Sequence, residues 1–387
     1  MKKESYIIGK ALYTSLGNTK EKITEEIYKL SQDNYLSFLE NKFKEKAFYK
    51  IEEKFDSEKE KFFKILKEVI DQSINESQIK DKENLHIFIG STSMGISIEE
   101  EANQEFHNNK NIDELSHIGY GYIGTFVEEY IKSKYKSIIF STACTSSTNA
   151  IAYASKLIQN NKIKKAIIIG IELFNRSTFD GFSSLMLLSQ NKVYRPFDEK
   201  SDGIILGEAC SAVILDSVKN KDSDFKYISS SNICDNYSET TSNPSGEPIL
   251  NCMNSSIQNA GMTLKNIDLI KAHATGSENN NSSEAKAIND LFNNYQSTTN
   301  ITAVKPYIGH TLGACGTNEI VLILYCIEKG FFPATLGFEK SEEKLEFTPL
   351  LKHKNNIQKT TVLFNFVAFG GNNSSIILSN KSENVYS

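Results

Sequence analysis

The chain reads as an α/β protein made of two similarly ordered halves. Short apolar strands ending in small-residue turns alternate with helical stretches along most of its length, the pattern of a parallel sheet with right-handed crossovers. The order of elements recurs: a strand delivers a turn at Cys144 in the first half and at Phe369-Gly-Gly371 in the second, which points to an internal duplication although no sequence identity between the halves is visible. With 387 residues and 39% apolar content, the chain can fill two ordinary domains or one large duplicated unit.

Taken in order, Ser5-Tyr-Ile-Ile-Gly9 is a short strand entering a glycine turn, and Thr14-Ser-Leu-Gly-Asn18 leads into a charged helix from about Thr19 to Leu30. Residues 40–82 are rich in Lys and Glu; Phe62, Leu66, Val69 and Ile74 fall near helical spacing behind the capping box Ser57-Glu-Lys-Glu60, and a solvated amphipathic helix is expected. Leu85-His-Ile-Phe-Ile-Gly90 is a buried strand running into Ser91-Thr-Ser-Met-Gly95. A helical stretch around Ile123 to Tyr135 precedes the strand Ser137-Ile-Ile-Phe-Ser141, helix 146–160 and the strand Ala166-Ile-Ile-Ile-Gly170. Tyr194-Arg-Pro-Phe-Asp198 and Asp202-Gly-Ile-Ile-Leu-Gly-Glu208 form a turn-rich segment before the strand Ala212 to Leu215. The polar run Lys219 to Ser223 is the expected boundary, leaving an N-terminal half of residues 1–218 and a C-terminal half of residues 224–387. The second half then shows helices near 250–260, 282–293 and 312–329, with strands at Ile267 to Ala272, Ile301 to Val304, Thr361 to Asn365 and Ser374 to Leu378.

Composition removes several function classes. A net charge of −5 argues against general affinity for nucleic acid. No uninterrupted apolar run reaches membrane-spanning length, and Met1-Lys-Lys-Glu-Ser-Tyr-Ile-Ile-Gly9 is too short in its apolar part for a secretory signal; a cytoplasmic protein with no membrane span is expected. Cysteines 144, 210, 234, 252, 315 and 326 show neither Cys-x-x-Cys nor a His/Cys cluster at metal spacing, so no disulfide framework and no metal site is indicated.

The stretch with the clearest chemistry is Phe140-Ser-Thr-Ala-Cys-Thr-Ser-Ser-Thr-Asn-Ala-Ile151, an apolar strand that meets Cys144 where small polar residues open a helix. A thiol there faces the first N–H groups of the helix, whose positive field favours thiolate, so Cys144 is placed as a nucleophile. Three stretches of the second half supply partners. His273 ends a strand in Ala272-His-Ala-Thr-Gly-Ser277, and Lys305-Pro-Tyr-Ile-Gly-His310 repeats that arrangement ahead of Gly313-Ala-Cys-Gly316. Strand carboxyl ends are where α/β sheets place their sites. Asn365-Phe-Val-Ala-Phe-Gly-Gly-Asn-Asn373 is a glycine turn able to offer backbone N–H groups to an anion.

Together these motifs resemble the beta-ketoacyl-[acyl carrier protein] synthases, condensing enzymes of the thiolase superfamily. Thr142-Ala-Cys-Thr-Ser146 is similar to the family's nucleophile motif, His273-Ala-Thr-Gly-Ser277 to its first histidine motif, and Lys305 to His310 to its Lys-x-x-x-Gly-His motif. The Asn365 to Asn373 turn, Arg195-Pro-Phe-Asp198 with Asp202-Gly and Gly207-Glu208, and the amino end also match, so the likeness spans nearly the whole chain. It implies a thiolase-like duplicated five-layered α-β-α-β-α fold. Cys144 would carry the acyl group, and His273 and His310 would donate to the enolate of a decarboxylating malonyl thioester. Lys305 would act electrostatically with Glu284 as its supporting carboxylate. Phe369 would be a mobile gate whose N–H joins that of Cys144 in an oxyanion hole.

The resemblance further implies no cofactor, because substrates ride on the phosphopantetheine of an acyl carrier protein. The implied partners are that carrier protein, docked by a local lysine patch, acyl and malonyl thioesters, and a second subunit in a homodimer or a heterodimer with a homologue. Departures are Ala274 for a usual glycine, Asn281 for a common aspartate, Val367-Ala368 for Phe-Gly, Ile204 for a frequent phenylalanine and Ser201 for a frequent arginine. They point to an altered pocket or gate. Three uses stay open: fatty acid elongation, a specialised pathway such as polyketide or aryl-polyene assembly, and a non-elongating chain-length or scaffolding partner, against which the retained Cys144 argues.

Overall fold

The structure, a computed structural model, describes residues 3–43, 46–109, 119, 121–341 and 345–382. Ten strands form the main sheet: β1 (Tyr6–Thr14), β2 (His86–Gly90), β3 (Ile138–Phe140), β4 (Lys165–Glu172), β5 (Ala209–Asp216), β6 (Phe225–Cys234), β7 (Leu269–Lys271), β8 (Asn300–Thr302), β9 (Thr361–Val367) and β10 (Asn372–Ser379). Their spatial order is β8-β7-β9-β10-β6-β1-β5-β4-β2-β3. It divides into two five-stranded sets of one topology, β3-β2-β4-β5-β1 and β8-β7-β9-β10-β6. In each set the first two contacts are parallel and the next two antiparallel. The sets meet where β1 and β6 pair antiparallel, Tyr6↔Lys226 and Ile7↔Phe225.

The sheets are therefore mixed and not wholly parallel. The chain passes from β9 to β10 through residues 368–371, too few for a crossover, so these two strands must pair antiparallel. A topology shared strand for strand is the structural form of the repeat seen in the sequence.

Alternation along the strands builds the layers, because successive side chains point to opposite faces. Ile168, Val213, Leu215, Val362, Phe364, Ile376 and Leu378 face one central core with the helices Ser146–Gln159 and Cys315–Glu328. Their neighbours Ile167, Ile169, Ala212 and Ile214 face helices Glu58–Ser77 and Gly121–Ile131 on one outside. Ile270, Leu363 and Ile377 face helices Glu247–Asn259 and Glu278–Tyr295 on the other. The result is helix, sheet, helix, sheet, helix.

Helix Glu58–Ser77 is more than a solvated amphipathic element: Phe62, Ile65, Leu66 and Ile70 are fully buried against the sheet, and Lys61 reaches Glu208 at 2.6 Å. Two glycines let the central helices approach the nucleophile segment. A Cβ on Gly90 would lie 2.3 Å from the Ser147 backbone, and one on Gly316 would lie 2.4 Å from the Thr148 nitrogen. Among the described residues no helix is long and apolar enough to cross a membrane.

Candidate active site

Strand β3 ends at Phe140, and the chain turns sharply before helix Ser146–Gln159. The turn costs backbone strain: Ala143 has φ +49°, a left-handed conformation unusual for a residue with a Cβ. Ser146 holds it from within, its hydroxyl accepting from the Thr142 N–H at 2.9 Å and donating to the Ala143 carbonyl at 2.6 Å. The Cys315 thiol donates to the Cys144 carbonyl at 2.9 Å. Cys144 is left with 7% exposure at the floor of a cavity of about 410 Å³ whose lining includes His273, His310, Ile204, Phe182 and Phe369.

The histidines arrive from the other half of the chain. His273 follows β7, and both oxygens of Glu284 fix its backbone, accepting from the His273 and Ala274 N–H groups at 2.7 Å each; Asn365 donates to the same carboxylate at 2.7 Å. His310 follows the short helix Lys305–Ile308 through Gly309, whose φ of +75° suits glycine, and its N–H donates to the Ile205 carbonyl at 2.8 Å. Cys144 Sγ and His310 Nε2 are 3.2 Å apart, and the two imidazole centroids lie 5.3 Å apart at 84°. One donor atom from each of Cys144, His273 and His310 falls within a 4.8 Å span.

Lys305 decides the protonation of His273. Its Nζ lies 3.2 Å from His273 Nδ1 and also donates to the His273 carbonyl. An ammonium has only donors, so Nδ1 accepts and the ring proton resides on Nε2. Burial, then the Lys305 charge, hold the pKa values of both histidines well below the ordinary range. Buried ammonium groups beside a compact donor set favour negative charge there over a metal cation.

Burial also pushes the Cys144 thiol up to about 12, against the opposing pull of Lys305 and the Phe369 N–H. This corrects the thiolate expected from the helix start: desolvation outweighs the helix field once the thiol is enclosed. The resting site is a neutral thiol beside neutral imidazoles. Below such a pKa the thiolate fraction rises tenfold per pH unit, so alkylation of the Cys144 peptide by iodoacetamide should rise about tenfold from pH 7 to 8 and again to pH 9. A rate already level at pH 7, read by peptide mass spectrometry, would show a thiolate instead.

The family model for the beta-ketoacyl synthase N-terminal domain matches residues 9–221, and that for the beta-ketoacyl synthase C-terminal domain matches residues 227–339. The chain belongs to the beta-ketoacyl synthase family. Within it, the chain is 29% identical over 256 residues to 3-oxoacyl-[acyl-carrier-protein] synthase 2 of Coxiella burnetii, an alignment covering 63% of this chain and 61% of that protein. A putative mitochondrial 3-oxoacyl-[acyl-carrier-protein] synthase of Schizosaccharomyces pombe is 30% identical over 255 residues, covering 61% and 59%. The chain thus aligns with about three-fifths of the length of these curated relatives.

Among solved structures, the ishigamide ketosynthase/chain length factor superposes with TM-score 0.81 at 18% identity, covering 99% of this chain and 100% of that one. The Xenorhabdus doucetiae ketosynthase ApeO in complex with its chain length factor ApeC gives 0.79 at 21%, covering 97% and 98%. The fold is the thiolase-like one of ketosynthases.

One expected pairing in this site is corrected. Glu284 does not pair with Lys305, because its carboxylate is consumed by the His273 and Ala274 N–H groups and by Asn365. Lys305 pairs with Glu319 at 2.7 Å, and the same glutamate pairs with Lys271 at 2.5 Å. Sequence reasoning missed both Glu319 and Lys271. The available signal was a charge inside an apolar element, Glu319 in Gly-Thr-Asn-Glu-Ile-Val-Leu-Ile and Lys271 in Leu-Ile-Lys-Ala.

The departures also find places. Ala274 has φ +47°, where glycine would be unstrained, and its N–H bond to Glu284 holds it there. Asn281 donates to Ser201 at 2.8 Å, so these two neutral replacements touch each other. Ser201, Ile204, Val367 and Ala368 all line the cavity, where Phe369 stacks on Phe182 with centroids 5.8 Å apart.

Proposed function

We propose that the protein is a beta-ketoacyl-[acyl carrier protein] synthase, extending an acyl group held on Cys144 by decarboxylative Claisen condensation with malonyl carrier protein. The observation that carries this reading is the convergence of Cys144, His273 and His310 within 4.8 Å, with Lys305 on His273 Nδ1. An acyl thioester is attacked by Cys144, and the thiol proton leaves on the departing phosphopantetheine sulfur. Malonyl thioester then loses carbon dioxide. Nε2–H groups of His273 and His310 donate to the enolate oxygen, each worth about 10²-fold or more as preorganised donors. The enolate carbon attacks the acyl thioester, whose oxyanion is received by the Cys144 and Phe369 N–H groups; its collapse breaks the C–S bond, expels the Cys144 thiolate and releases the ketoacyl carrier protein, and the thiolate regains a proton from water.

Neutral imidazoles suit the donor role, since each keeps one ring N–H without a charge that must be desolvated, and on His273 the Lys305 contact places it at Nε2. Four of the six departures line the cavity, which favours a specialised pathway such as polyketide or aryl-polyene assembly over fatty acid elongation. In this chain β3 is the open edge of the sheet and leads directly to Cys144, with Ile138 44% exposed. An open edge beside the nucleophile is a pairing surface for a second subunit, the same chain or a homologue. In such a pair the retained Cys144 gives this chain the condensing role.

The test is incubation with a panel of acyl carrier protein thioesters and malonyl carrier protein, reading product length and unsaturation. Absence of every condensation product would leave a non-elongating partner as the better reading. His310→Ala should slow malonyl decarboxylation by about 10²-fold or more while transacylation falls far less. Equal loss of both half-reactions would instead make His310 a structural residue.

A further inference from the structure

A second buried lysine stands behind the site without a part in the steps above. Lys271, the last residue of β7, is 0% exposed. Its Nζ meets Glu319 Oε2 at 2.5 Å, donates to the Asn365 carbonyl at 2.9 Å and sits 3.6 Å from the centroid of the Phe366 ring. A carboxylate, a carbonyl and a ring face are all acceptors, so the geometry suits an ammonium with its three donors engaged.

These contacts close a ring through the site. Lys271 holds Glu319, which holds Lys305, which holds His273 Nδ1 and its carbonyl. From the other side Lys271 holds Asn365, which donates to Glu284, which fixes the His273 and Ala274 N–H groups. Charged or titratable groups face the site from the elements packed around it: Lys271 and His273 from β7 and its end, Glu284 from helix Glu278–Tyr295, Lys305 and His310 from the short helix and the turn after it, Cys315 and Glu319 from helix Cys315–Glu328, Cys144 from the turn before helix Ser146–Gln159, Glu172 from the end of β4, and Tyr194. Burial holds the Lys271 pKa below its ordinary value, against the raising pull of the Glu319 carboxylate.

We propose that Lys271 is a positioning residue of the condensing site: it clamps Glu319 against Lys305 and supplies a second buried positive charge that keeps His273 and His310 neutral donors. The inference rests on the condensing reading for its consequence in catalysis, while its electrostatic part is read without turnover. Lys271 acts on both histidines in the direction of lower pKa, alongside burial and Lys305. Removing it takes a positive charge from the cluster, so imidazolium becomes easier to form and both histidines titrate at higher pH.

The experiment is an NMR titration of the histidine rings in the full-length protein, as wild type, Lys271→Met and Lys271→Arg. In the wild type both active-site rings should titrate well below the ordinary histidine range. Lys271→Met should raise both by about one pH unit or more, a tenfold change in proton affinity, and Lys271→Arg should restore the wild-type curve. The rate of malonyl decarboxylation should follow, its acid limb moving to higher pH in Lys271→Met only. Unmoved titrations in Lys271→Met overturn the proposal. So do wild-type rings that charge near pH 6.5, a measurement that needs no variant to fold. Should the wild type decarboxylate no malonyl thioester, the condensing reading fails while the ring titrations still decide the role of Lys271.

Discussion

Replacing Cys144 by alanine is expected to abolish acyl-enzyme formation and to lower condensation by on the order of 10⁴-fold or more, the scale at which loss of a nucleophile acts. Cys144 Sγ is the thiol in contact with His310 Nε2, and it shares the cavity floor with both histidines. Cys315, the nearest thiol in sequence to His310, is committed to the Cys144 carbonyl and fully buried in the central helix layer, so it offers no substitute. The measurement is intact mass after incubation with an acyl carrier protein thioester. An acyl adduct on the Cys144→Ala protein would sink the nucleophile assignment. Decarboxylation of malonyl thioester, which depends on the histidines, should survive the substitution.

Replacing Glu319 by alanine is expected to cost about 3–5 kcal/mol of stability, the range for removing one partner of a buried ion pair. Glu319 is 0% exposed and is the carboxylate in ion-pair contact with both Lys271 and Lys305, which are themselves 0% exposed. Its loss strands two ammonium groups in the interior, where an uncompensated charge is far more costly than a missing apolar contact. Against a typical total of roughly 5–15 kcal/mol, this is a large fraction, read as a lowered urea midpoint. A midpoint within about 1 kcal/mol of wild type would show that the lysines fold as neutral amines. Glu319→Gln keeps the shape and one acceptor oxygen, and should fall between the two. Because Lys305 sets the His273 tautomer, decarboxylation by either variant should drop more steeply than its stability alone explains.

What is local in this chain is legible in its sequence. Strands and turns that deliver Cys144, His273 and His310 were readable because apolar runs, small-residue turns and helix starts are written in consecutive residues. The repeat was readable for the same reason, since the order of elements is a one-dimensional property. The helix at 58–77 was also visible, but its apolar stripe does not say what it covers; only the outer face of β1, β4 and β5 turns that stripe into core. Antiparallel pairing within each half was not read from the alternation, which indicates crossovers without fixing the return direction of β5 and β10.

By itself the sequence determined the two-part α/β architecture, the strand-end positions of the cysteine, the lysine and both histidines, and their likeness to a condensing site. Tertiary structure alone decided that Glu284 serves the backbone of His273, that Glu319 serves Lys305, that Lys271 joins them, and that Cys144 rests as a thiol. The physical reason is that burial and ion pairing are properties of convergence: Glu319 lies 48 residues from Lys271 along the chain and 2.5 Å from it in space. A charge in an apolar run announces that a partner exists. Only the packed layers say which one.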